Sequence, residues 1–160
     1  MDWLAPLLKL AHVTLAFAMI AGLVGRWILL TRAAASDDVE RAHVLADAAS
    51  PFERIVQTVS PVVILVGLVT AWAQGYPWLG LTTGWMLLTV LLIVPVLVFI
   101  PTIFLPRGRT FEAEMAAARA AGEVTPGLRA AWADPAVAMA RRYELGAFGI
   151  IVALMVLKPF

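Results

Sequence analysis

The stretch from Gly84 to Leu105, GWMLLTVLLIVPVLVFIPTIFL, contains 22 residues without a single charge. A transmembrane α-helix needs about 20 consecutive, predominantly apolar residues. A backbone surrounded by hydrocarbon must satisfy its own hydrogen bonds, and a helix does so within one segment. This stretch therefore predicts a membrane-spanning helix, and the rest of the chain is interpreted outward from it.

Three further apolar stretches predict three further spans, so that the four lie at about 3–30, 54–73, 84–105 and 136–158. Of the 160 residues, 62% are hydrophobic and only 14% are charged, against about 25% charged residues in a typical soluble domain. We therefore predict an all-α fold. Residues 1–160 would form a single integral membrane domain, built as a four-helix transmembrane bundle whose main partner is the lipid bilayer.

The overall charge and the missing cysteines exclude several classes of function. The formal net charge of +1 gives no basis for nucleic-acid binding, which depends on many Lys and Arg contacts to phosphates. The absence of cysteine excludes disulfides, thiolate metal sites and iron–sulfur clusters.

The basic residues concentrate in the two loops on one side of the bundle. These loops and their helix ends carry Arg32, Arg41, Arg54, Arg107, Arg109, Arg119, Arg129, Arg141 and Arg142. The loop over residues 74–83 carries no Lys or Arg. Because positively charged loops stay in the cytoplasm, both termini are predicted on the outer, periplasmic or extracellular side of a bacterial inner membrane.

Local capping motifs predict where the helices begin and end. Ser50-Pro51-Phe52-Glu53 resembles a capping box and would start the second membrane helix, after a separate short helix over 37–49. A second short loop helix is predicted over 110–121, ending at Gly122. Asp134-Pro135 would start the fourth membrane helix.

Small residues recur at helical spacing on the first and fourth helices. The two sets are Ala11, Thr14, Ala18, Ala21, Gly22 and Gly25, and Gly146, Gly149 and Ala153. Faces of this kind let membrane helices approach closely. They predict packing within the bundle, or else a homodimer face or a groove for a flat cofactor.

Ionisable residues within the spans are functional candidates because their burial in hydrocarbon is expensive. Lys9 and Lys158 lie near the outer ends and can extend to water. Arg26 and Glu144 lie near the opposite ends of the first and fourth helices, where a structural ion pair between them would lower the cost of both.

His12 lies one and a half to two turns inside the outer boundary and has two interpretations. In the first, it hydrogen-bonds to a carbonyl or a hydroxyl on another helix, such as that of Thr70 or Thr89. In the second, its imidazole binds a metal, as the axial ligand of a b-type haem. No second histidine lies in a predicted span, so Met86, Met155 and Lys158 are the candidates for a second ligand.

The segments Leu8-Lys9-Leu10-Ala11-His12-Val13 and Met155-Val156-Leu157-Lys158-Pro159-Phe160 resemble a bacterial family of predicted integral membrane proteins, the domain of unknown function 2269. More distantly, the layout is similar to the haem-binding membrane protoporphyrinogen oxidases and to the copper-resistance membrane proteins. The distant similarity implies that His12 occupies a haem or metal position.

We expect a small accessory or assembly subunit of a membrane complex, one that carries a cofactor, b-type haem, on His12. One alternative is a haem-dependent membrane oxidoreductase similar to the porphyrinogen oxidase. Another is a small metal or solute permease, in which His12, Met19 and Arg26, spaced seven residues apart on one side of the first helix, line a path.

Overall fold

The computed structural model describes residues 3–159; Phe160, the last residue of the C-terminal segment quoted above, lies outside this range. The described chain is all-helical. Its helices are α1 (Leu4–Ala34), α2 (Val39–Ala73), α3 (Gly84–Phe99), α4 (Leu105–Ala121), α5 (Pro126–Trp132) and α6 (Pro135–Leu157). A short helical turn at Pro77–Gly80 precedes α3, and a π-helical turn at Ile100–Phe104 joins α3 to α4.

Three helical segments in residues 3–159 are long and apolar enough to cross a membrane. They are Leu4–Ala34, Val39–Ala73 and Gly84–Ala121. The segment α6 has 23 residues, but Arg141, Arg142 and Glu144 lie in its first half. The helix α6 is not among the three candidate membrane spans.

The long helices pack as two pairs, α1 along α2 and α3 against α6. The core between α1 and α2 consists of Met19, Leu23, Val56 and Val63, and Phe148 of α6 packs against it. Tyr143 of α6 donates a hydrogen bond of 3.2 Å to the carbonyl of Leu92 on α3. The two pairs meet over a smaller area, which leaves a cleft between them.

The predicted start of the second membrane helix at Ser50 is wrong. The helix α2 begins at Val39 and runs through Pro51 without a break, so the separate helix predicted over 37–49 is its first part. The cap is Asp38, whose carboxylate accepts hydrogen bonds from the backbone N–H groups of Glu40 and Arg41 at 2.9 and 3.3 Å. Glu53 bonds to Gln57, one turn onward, and so does not close a capping box.

The second loop helix also starts earlier than predicted, because α4 continues from α3. Pro101 has no N–H to offer the carbonyl one turn back. The turn at Ile100–Phe104 widens there, and the N–H of Leu105 bonds to the carbonyl of Ile100, five residues earlier. The predicted end at Gly122 is confirmed, with φ +72° in the left-handed region.

A second, smaller core lies beside the Arg-rich loops. This loop cluster consists of Val39, Met115, Ala118 and Leu128, so it joins the first turn of α2 to α4 and α5. The predicted start of the fourth helix is confirmed, with the Asp134 side chain as its cap.

Asp134 also forms an ion pair of 2.7 Å with Arg107 of α4. Partial burial raises the pKa of the Asp134 carboxyl, but hydrogen bonds from Arg107 and from two backbone N–H groups lower it by more. The pKa therefore lies below its ordinary value.

The two small-residue faces have different surroundings. A methyl group on Gly25 would lie 2.5 Å from the ring of Phe52, and one on Gly22 would lie 3.0 Å from Val56. Gly22 and Gly25 of the first face therefore lie at the contact of α1 with α2, whereas Thr14 and Ala21 of the same face are exposed. A methyl group on Gly146 or Gly149 would meet nothing within 4 Å among the residues described, so this part of α6 is unpartnered in the single chain.

Gly25→Ala is expected to destabilise the protein by about 1–3 kcal/mol, because the added methyl group overpacks the contact with Phe52. Gly146→Ala is the matched control, and it should leave stability unchanged or raise it by up to about 1 kcal/mol, since alanine is the better helix former. Thermal unfolding in detergent measures both. Equal effects of the two substitutions would contradict the assignment of Gly25 to the contact of α1 with α2.

Candidate functional site

The candidate site is the cleft between the two helix pairs, with a volume of about 490 Å³. Its two ends are marked by His12 and by Arg26, which lie on the same helix. Fourteen residues of helix at 1.5 Å each place these ends about 21 Å apart. The walls between them are mainly apolar, with Met19, Val63 and Val96 as examples.

At the first end, the ring of His12 is held against α2. Its Nδ1 lies 3.0 Å from the carbonyl oxygen of Val63. A carbonyl oxygen can only accept, so Nδ1 carries the proton, and in the neutral imidazole Nε2 keeps a free lone pair. Gly67 makes room for the ring, because a methyl group there would lie 2.8 Å from His12 Cε1.

The hydroxyls considered as partners of His12 bond elsewhere. Thr70 donates to the carbonyl of Val66 at 2.6 Å, and Thr89 donates to the carbonyl of Trp85 at 2.9 Å. Each threonine thus bonds to its own helix. The carbonyl of Val63 and the space at Gly67 were not identified from the sequence, although a lone glycine in an apolar span could have indicated a close approach.

The candidate second ligands have different locations. Met155 lines the cleft together with His12, whereas Met86 is not among the cleft residues and packs against Gly80. Lys158 ends α6 with φ +46°, and its Nζ lies 5.6 Å from the ring centre of Trp85. The structure therefore places only Met155 in the same cleft as His12.

Carboxylates and other imidazoles do not surround His12. Among residues 3–159, no group of three or more His, Asp or Glu side chains is arranged to hold a metal ion. A metal ion bound through His12 would depend on other donors.

At the second end, the structure brings Arg26 and Glu144 together, with Nη2 of Arg26 2.6 Å from Oε2 of Glu144. Both residues are buried, with exposed fractions of 9% and 4%. The guanidinium carbon of Arg26 also lies 5.6 Å from the ring centre of Phe104, in the π-helical turn. The exposed carboxylate of Glu53 also lines this end of the cleft, whereas Arg141 is not among the lining residues.

Comparison with known proteins gives one match. A family model described as a predicted integral membrane protein (DUF2269) matches residues 6–159. No curated protein matches the chain, and no solved structure does.

The ion pair gives a prediction about stability. Either Arg26→Met or Glu144→Leu alone should destabilise the protein by about 3–5 kcal/mol, because each leaves one charge buried without its partner. The double variant should lose much less than the sum of the two, since both charges are removed together.

Thermal unfolding in detergent of the wild type, the two single variants and the double variant completes this double-mutant cycle. Arg129→Met is the control for loss of a positive charge, because its pair with Asp37 is exposed and should contribute less than about 1 kcal/mol. Additive effects of the two single substitutions would show that Arg26 and Glu144 are not energetically coupled.

Proposed function

This chain belongs to the domain of unknown function 2269, a family of predicted integral membrane proteins, and we propose that it is a small membrane subunit that carries a b-type haem on His12. The observation on which this depends is the hydrogen bond between His12 Nδ1 and the carbonyl of Val63. It leaves Nε2 as the ring nitrogen with a free lone pair.

The donors and the cavity support this proposal. A histidine that binds a metal almost always donates its other ring N–H to a carbonyl, a carboxylate or water, which fixes the tautomer and the ring orientation. His12 already has that partner. The cleft volume of about 490 Å³ lies within the range of about 300–1,000 Å³ that is common for cofactor sites.

A bound haem would supply one-electron chemistry. His12 would be its ligand, Val63 would hold the imidazole in place, and Gly67 would give the ring space. Met155 is the second ligand we favour, because it lines the same cleft. The apolar walls would limit the access of water, which is one way in which a protein adjusts a haem potential.

We further propose that α6 is a fourth span and that both termini lie outside a bacterial inner membrane. Supporting this, the charged residues of α6 all lie in its first half, and residues 145–157 carry none. This segment also lines the cleft and packs along α3. The nine arginines of the two polar loops favour the cytoplasm for that side.

A permease is the second candidate function. It is favoured by one observation: His12, Met19 and Arg26 all line the cleft, as a path through the bundle would require. The pair of Arg26 with Glu144 would stand at one end of that path.

The haem proposal is tested by the reduced-minus-oxidised absorption spectrum of the purified protein, prepared with haem in excess. The wild type should show a stoichiometric b-type signal, and His12→Ala should lose it. Gly67→Ala should weaken the signal, because the new methyl group displaces the His12 ring.

His43→Ala is the matched control and should keep the full signal, since His43 is not among the residues of the cleft. A colourless wild type, or a His12→Ala variant with an unchanged spectrum, would overturn the haem proposal. A colourless wild type would leave the permease as the candidate to pursue.

The topology is tested with single cysteines, since the chain contains none. In intact cells, Thr82→Cys should react with a membrane-impermeant maleimide, and Glu123→Cys should react only after the membrane is opened. Both positions are exposed. The reverse pattern would place the N-terminal end of α1 in the cytoplasm, and equal labelling of both would contradict the crossing of the membrane by α3. Pro159→Cys, beyond the end of α6 and also exposed, should react like Thr82→Cys. A reaction like that of Glu123→Cys would contradict a fourth span.

A further inference from the structure

The Arg26 end of the cleft has hydrogen-bonding capacity that the protein does not use. A guanidinium has five N–H donors, and Arg26 has one hydrogen bond to another described residue, to Glu144. Trp132 Nε1 is the one fully buried side-chain N or O atom without a partner among residues 3–159, so the other nitrogens of Arg26 keep some exposure. Arg26 lines the cleft, and an occupant of the cleft can therefore accept hydrogen bonds from it.

The mouth of the cleft is apolar. Several of its lining residues are also among the large exposed hydrophobics, namely Phe17, Leu97, Leu105, Val152 and Val156. An opening with such a rim faces lipid when the helices span a membrane. An occupant that enters through it would come from the bilayer, and the apolar walls would accept a hydrocarbon chain.

The polar groups at this end determine the headgroup. Unpaired donors are expensive in hydrocarbon, so the occupant must carry an acceptor for Arg26. Arg26 lines the cleft and can bind a phosphate, and the exposed carboxylate of Glu53 lines it too and can bind an ammonium group. Because Glu144 is already paired with Arg26, these two side chains favour a headgroup that carries charges of both signs.

We propose that the Arg26 end of the cleft binds one zwitterionic aminophospholipid, with its phosphate at Arg26 and its ammonium group at the exposed carboxylate of Glu53. An anionic phospholipid such as phosphatidylglycerol could place its phosphate at Arg26, but it has no ammonium group for the carboxylate of Glu53. An uncharged quinone would use the donors of Arg26 and leave Glu53 without a role. A zwitterion gives both Arg26 and Glu53 a partner, so it fits this end of the cleft best.

The headgroup of this lipid and the ring of His12 lie at opposite ends of the cleft. One leaflet of a bilayer has a hydrocarbon depth of about 15 Å, half of the core of about 30 Å. The two ends of the cleft are about 21 Å apart along α1. An acyl chain that starts at Arg26 therefore ends before the level of His12, and the lipid site stands independently of the haem proposal.

The test is native mass spectrometry of delipidated protein incubated with equal amounts of dioleoyl phosphatidylethanolamine and dioleoyl phosphatidylglycerol. We expect one phosphatidylethanolamine per chain, retained over phosphatidylglycerol by about tenfold, as a charge-assisted contact would give. Glu53→Gln should remove most of this preference. Glu40→Gln, an exposed carboxylate on the same helix but outside the cleft, should keep it.

The double variant Arg26→Met/Glu144→Leu should lose retention of both lipids while it still unfolds cooperatively. Equal retention of the two lipids by the wild type, preference for phosphatidylglycerol, or an unchanged preference in Glu53→Gln would each overturn the proposal. His12→Ala should retain phosphatidylethanolamine as the wild type does. Its spectrum and its lipid retention thus separate a failure of the haem proposal from a failure of this one.

Discussion

The close approach of α1 to α2 determines where the polar side chains of the cleft lie. Gly22 and Gly25 bring the backbone of α1 against Phe52 and Val56, and Gly67 lets the His12 ring contact α2. In lipid there is little hydrophobic drive between helices, so close packing at small residues has to hold them together. With this contact in place, His12 and Arg26 mark the two ends of one cleft rather than pointing into lipid.

The buried pair of Arg26 with Glu144 follows from the same geometry. Removing two charges from water costs several kcal/mol for each ion, and the attraction between them offsets this cost only when the contact is good. The distance of 2.6 Å and the nearby ring of Phe104 are features of a good contact. Because α1 and α6 make few other contacts, this pair is the main polar link between the two helix pairs.

Much of the fold was predictable because membrane helices obey strong local rules. The uncharged stretch at Gly84 predicted a helix, and Gly122 and Asp134 predicted helix ends that the structure confirms. Ser50 failed as a predicted helix start because a capping motif shows only where a helix can begin. The burial of Val39, Ala42 and Ala49 decided instead that α2 continues upstream.

The site was less predictable, because periodicity does not show how each helix is rotated relative to its neighbours. Spacing placed Arg26 and Glu144 at similar depths, and the structure places them in contact. The partner of His12 is a backbone carbonyl, which any residue could supply, so no side chain in the sequence indicated Val63. Met86 and Met155 differ in the same way: only the packing shows which of them lines the cleft.

The length of α2 has a mechanical consequence. At 1.5 Å per residue its 35 residues measure about 52 Å, well beyond the hydrocarbon thickness of about 30 Å. One continuous rod thus forms a wall of the cleft and, at Val39, a side of the loop cluster. A rod of this length can act as a lever. A tilt of the loop cluster would turn the cleft wall with it, except for the bending that Pro51 and Pro61 absorb.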